Sequence, residues 1–71
     1  MRYTVVIEEG PSSFGAYVPD LPGCVAVAET RGEVTSLIRE AIEGHLEVLR
    51  EDGQSIPEPH SFAEQIEVAF A

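Results

Sequence analysis

The 71 residues contain no lysine and no tryptophan, and cysteine occurs once. Each absence excludes something. Without lysine, the only fixed cations are four arginines, set against thirteen carboxylates, for a formal net charge of −9. Nucleic-acid affinity rests largely on cations that neutralise phosphate. Direct DNA or RNA binding is therefore not expected of this chain. A single cysteine, Cys24, excludes an intrachain disulfide. No stretch of about 18 apolar residues is present, so no membrane-spanning helix is expected. Met1-Arg2-Tyr3-Thr4-Val5 lacks the long apolar region and cleavage site of an export signal and reads as the start of a strand. The expected compartment is the cytoplasm, where a lone cysteine usually behaves as a small buried hydrophobe.

What is present divides into short β-like segments and one helix, in a single domain spanning residues 1–71. Arg2 to Glu8 is rich in β-branched and aromatic residues, with Tyr3, Val5 and Ile7 on one face. Glu9-Gly10-Pro11-Ser12-Ser13 supplies a turn, and Phe14 to Val18 returns as a second strand. Cys24 to Ala28 reads as a third. Val25 and Val27 share one side, and the small Cys24, Ala26 and Ala28 share the other, where an element can pack closely.

Thr30-Arg31-Gly32-Glu33 has the pattern of a helix-capping box. Val34, Leu37, Ile38, Ala41, Ile42, His45, Val48 and Leu49 follow at helical spacing, with Glu40, Glu43, Glu47 and Glu51 on the wet side. Asp52-Gly53 ends the helix. Gln54 to Ser61 is a connector held extended by Pro57 and Pro59, and Phe62 to Phe70 alternates as a last strand. The order β-β-β-α-β predicts an α+β layer with the last strand beside the first. One helix covers one sheet face, so apolar surface on the other face predicts self-association.

The chemistry-bearing residues are scattered. Cys24, His45 and His60 lack metal-ligand spacing, and nothing resembles a phosphate-cradling glycine loop. No cofactor or metal is expected. A nucleophilic Cys24 would need a nearby base and a positive setting, which Asp20 and the general acidity oppose. Glu8, Glu9 and Asp20 could be enlisted as a divalent-metal site. Carboxylates at strand ends and turns are more often simply solvated, so no enzyme is expected. Glu8, Glu9, Asp20 and Glu29 are instead assigned to partner-facing acidic edges, which suit a basic protein.

The run Tyr17-Val18-Pro19-Asp20-Leu21-Pro22-Gly23-Cys24 is the most specific pattern in the chain. As structure it reads as a stiff loop with Asp20 bonded to its own backbone. It also resembles the signature of HicB-type antitoxins and their stand-alone relatives. Thr30 with Glu33, Glu40-Ala41-Ile42, Gly53 and Ile56-Pro57-Glu58-Pro59 continue the likeness in the same order. The resemblance implies a partial ribonuclease-H-like fold with sheet order 3-2-1-4 and one packed helix. It also implies an antitoxin of a type II toxin-antitoxin system that forms dimers or tetramers and neutralises a small basic HicA-like ribonuclease. Full-length members add a C-terminal DNA-binding domain that these residues do not contain, so operator binding is not expected of this chain. Ribonucleases H place metal-binding carboxylates in the middle of the first strand. Here that position holds Val5, Val6 and Ile7, so nuclease activity is not implied. The alternative reading is an orphan homo-oligomeric module that binds another protein or a small ligand.

Overall fold

Gly10 and Pro11 turn the chain where the first apolar alternation ends, and the Gly10 N–H donates to the Ser13 carbonyl at 2.8 Å. The hairpin that results is the start of an antiparallel sheet in the computed structural model, which describes residues 1–70. Strand β1 is Val6–Glu9, β2 is Phe14–Tyr17 and β3 is Val25–Ala28. Their order is β1-β2-β3. Registry places Ile7 opposite Ala16 and Ala16 opposite Ala26. These three point to the helix side. Val6, Tyr17 and Val25 form the matching row on the other face.

Helix α1 spans Arg31–Glu51. Thr30 caps it from an extended conformation, its Oγ1 accepting from the Glu33 N–H at 3.1 Å. Glu33 does not reach back to the cap N–H as a full capping box would. Its carboxylate accepts from the Thr30 hydroxyl at 3.0 Å. The C-terminus closes as a Schellman motif: Gln54 N–H donates to Leu49 and Gly53 N–H to Arg50. That closure needs a left-handed residue, and Gly53 has φ +69°.

The helix packs on β3 and β2, over the small side chains of Ala26 and Ala28, which let its backbone come close. Val34 and Ile38 are buried beneath it, with Ala41, Ile42 and Leu46 along the same stripe. Leu37 and Val48, placed on that stripe by periodicity, are exposed. The remaining core comes from Ala16, Val18, Leu21 and Cys24.

The sequence expectation and the structure part company at the two ends. Arg2 to Val5 lies outside the hydrogen-bonded ladder, although Tyr3 and Val5 still pack against the core. The expected fourth strand is corrected. Phe62 to Phe70 forms no ladder within the chain, so position four of the 3-2-1-4 order is empty among the described residues. A strand exists only against a partner edge, and this segment leaves its own sheet after Ser61. The outer edge of β1 is unpaired as a result.

Candidate functional site

Three segments meet at one site: the Tyr17–Cys24 loop, the connector after α1, and the N-terminal segment that precedes β1. The loop is built by backbone bonds at three-residue spacing, with Leu21 N–H donating to Val18 and Cys24 N–H to Leu21 at 3.0 and 3.1 Å. This winding turns Val18, Leu21 and Cys24 inward together and Pro19, Pro22 and Gly23 outward. Gly23 takes φ +85°, which a side chain would strain. Cys24 is a buried free thiol, and burial pushes its pKa up. It is therefore less nucleophilic than an exposed thiol.

Asp20 is placed differently from both sequence expectations. It is only 5% exposed, so it presents no carboxylate to a partner, and it bonds residues 40 positions away instead of its own loop. Its Oδ2 accepts from the backbone N–H groups of His60 and Ser61 at 2.8 and 3.0 Å. Its Oδ1 accepts from the Ser61 hydroxyl at 2.6 Å, with His60 Nε2 at 3.2 Å. The Ser61 hydroxyl, followed by these backbone donors and the His60 ring, holds the Asp20 pKa below its ordinary value despite the opposing cost of burial. Two further bonds fasten the connector to the N-terminal segment. Tyr3 OH donates to the Pro57 carbonyl at 2.5 Å, and Thr4 Oγ1 donates to the Ser61 carbonyl at 2.7 Å. Burial, then the carboxylates of Glu58 and Asp20, raises the Tyr3 pKa. Together these contacts make a clasp that joins loop, N-terminus and connector. Among the described residues every buried side-chain polar atom has a partner.

The clasp was not legible beforehand. His60 reads as a solvated residue, and its ring is largely exposed; its backbone N–H is the functional group. The available signal was the pair Pro57 and Pro59, which stiffen the connector enough to deliver His60-Ser61 to a fixed point.

The face of the sheet away from α1 carries Val6, Glu8, Tyr17, Val25 and Val27. Tyr17, Val25 and Val27 are exposed there, and Gly15 leaves open space between Glu8 and Val27. Glu9 ends β1, and Glu29 follows β3, both exposed. Glu8, Glu9 and Glu29 thus rim the sheet, whereas Asp20 is inside. Among the described residues no group of three or more histidines, cysteines or carboxylates gathers into a metal site. No helix is long and apolar enough to cross a membrane.

This arrangement offers an apolar strip with an acidic border. It is suited to holding another surface. A family model described as the HicB-like antitoxin of bacterial toxin-antitoxin systems matches residues 3–69. A protein of Thermoplasma acidophilum is 36% identical over 69 residues, covering 96% of this chain and 97% of the relative. An uncharacterised 14.9 kDa protein of Haemophilus phage HP1 is 32% identical over 66 residues, 93% of this chain. The chain spans half the length of that phage protein. Among solved structures, a chain of a HicA3 and HicB3 toxin-antitoxin complex superposes with a TM-score of 0.70 at 28% identity, over 83% of this chain and 70% of the other.

Proposed function

The chain belongs to the HicB-like antitoxin family, and from that premise we propose that it acts as a neutralising antitoxin module, binding a small basic ribonuclease of HicA type without catalysis of its own. A solved structure similar to this chain is a toxin-antitoxin complex, which supports a HicA-like partner. The observation that carries the reading is the uncovered sheet face. Tyr17, Val25 and Val27 supply apolar contact, and Glu8 and Glu29 supply charge opposite to that of a basic toxin. A net charge of −9 steers a cationic partner toward the encounter. In this reading the protein works in the cytoplasm as one domain, and the Tyr17–Cys24 loop is structural support for the binding face. The second reading, an orphan oligomeric module without a toxin, draws on the exposed apolar residues beyond Ser61.

The test is growth rescue and direct binding with a small basic ribonuclease of HicA type, sought first in the neighbouring open reading frame. Intact chain should restore growth and co-purify at low salt, and affinity should fall as salt rises. Val25→Arg combined with Val27→Arg places positive charge where a basic toxin docks. It should weaken binding by roughly 100-fold, about 3 kcal/mol, while the circular dichroism spectrum stays unchanged. Full rescue by that variant would remove the sheet face from the mechanism. Failure of the native chain to bind at low salt would remove the toxin.

A further inference from the structure

Phe62 to Phe70 has the composition of a strand and the exposure of a loop. Phe62 and Phe70 are 93% and 96% exposed, and Ile66 and Val68 are 76% and 73% exposed. All four fall on even positions, so an extended chain presents them on one face, interrupted only by Glu64, with Ala63, Gln65, Glu67 and Ala69 on the other. A one-sided apolar strand in water is unstable unless something covers it. The molecule is correspondingly long. Its radius of gyration is 14.3 Å, against about 11 Å for a compact chain of this length.

The same chain carries a vacant place of matching chemistry. The unpaired edge of β1 and the flank of α1 enclose a groove of about 440 Å³. Val5 and Ile7 form one wall, Ile38 and Ile42 the other. Arg2 and Arg39, half of the chain's fixed cations, also line it beside a single carboxylate, Glu43, and neither arginine has an ion-pair partner among the described residues. The tail brings Glu64 and Glu67. Nine tail residues at roughly 3.3 Å each extend about 30 Å, enough to run the length of the edge from Arg2 to Glu9.

We propose that this groove is filled by Phe62–Phe70 of a second copy, so that two chains exchange tails and each β1 gains its missing neighbour. The clasp explains why the exchange is between copies. Asp20, Tyr3 and Thr4 hold Pro57 to Ser61 in place, and the tail leaves the body from that fixed point. A two-fold exchange satisfies both open edges at once and leaves none to propagate. Each buried phenylalanine contributes roughly 150–250 Å². Four of them with four aliphatic partners reach the ~1,200–2,000 Å² that specific interfaces bury. This inference does not depend on a toxin, and its test contains none.

Light scattering of the intact chain should give twice 7.7 kDa. In a one-to-one mixture of isotope-labelled and unlabelled chains, filtered NMR should detect contacts between copies, from Val68 or Phe70 to Ile7 or Ile42. Val68→Pro removes a ladder N–H and should weaken the dimer by ~100-fold or more. Arg39→Glu, a change on the exposed helix surface that the fold tolerates, should weaken it by about 10-fold. A monomer at millimolar concentration would overturn the proposal, whether its tail amides are free or protected by folding back. So would a dimer whose affinity neither substitution changes, because such a dimer would use the open sheet face.

Discussion

Leu21→Ala is expected to cost about 3 kcal/mol, within the range for emptying a fully buried leucine site. Leu21 has no solvent exposure, although it sits in a loop between two prolines. Its side chain fills the space among Val18, Cys24 and the first turns of α1, where Val34 and Ile38 lie. A chain of 71 residues has a total stability of roughly 4–10 kcal/mol. One substitution therefore removes a third or more of it. Urea unfolding should show a lower midpoint with an unchanged slope, the signature of lost stability without a change in exposed area. Leu21→Met keeps the volume and should cost under about 1.5 kcal/mol. An alanine variant with the native midpoint would mean that the loop is not part of the core.

Asp20→Ala is expected to have the second large effect, through hydrogen bonds instead of volume. Removing the carboxylate leaves the N–H groups of His60 and Ser61 and the Ser61 hydroxyl without their acceptor. The penalty for stranding several donors at once is large, and a fall in Tm of roughly 10 °C is expected. Asp20→Asn should restore little of it. An amide presents one acceptor oxygen, and its NH2 group would face donors. The pH dependence follows from the same contacts. Folding holds the Asp20 carboxyl below the 3.8 of the free side chain, so on acidification the unfolded state takes up the proton first. The stabilisation is complete above 3.8 and is lost as the pH falls through the lower folded value. In a plot of Tm against pH, the native chain should lose this increment on the acid side and Asp20→Asn should not. Parallel curves for the two would show that Asp20 is not the titrating clasp. Release of His60-Ser61 also frees the base of the tail, so Asp20→Ala should weaken tail exchange as well as the fold.

The clasp gives the signature loop a purpose that its composition alone does not express. Proline at positions 19 and 22 and glycine at 23 predict a stiff turn, and the turn is there. Which way Asp20 points depends on segments 40 residues later, and local sequence carries no information about that distance. Cys24 and the alternating face of β3 were legible, because a residue's side in a strand follows from counting by two. Leu37 and Val48 show the limit on the helix. Periodicity marks a broad stripe, but the contact with β3 and β2 selects only its centre, the line through Val34, Ile38 and Ala41. The acidic rim divides in the same way. Glu8, Glu9 and Glu29 lie at the surface where carboxylates are cheaply solvated, whereas Asp20 is buried only because its bonds are supplied from elsewhere.

The absence of lysine, the lone cysteine and the capped helix between two turn-rich segments were determined by sequence alone, because each is a matter of composition or of neighbours within four residues. So were the second and third strands, the second half of the first, and the amphipathic character of Phe62 to Phe70. Tertiary structure decided where that last segment goes. Alternation specifies which face of a strand is apolar, but a strand's partner is set by the edge it can reach. Here Asp20, Tyr3 and Thr4 fix the departure point at Ser61, and the tail leaves its own sheet with its apolar face uncovered.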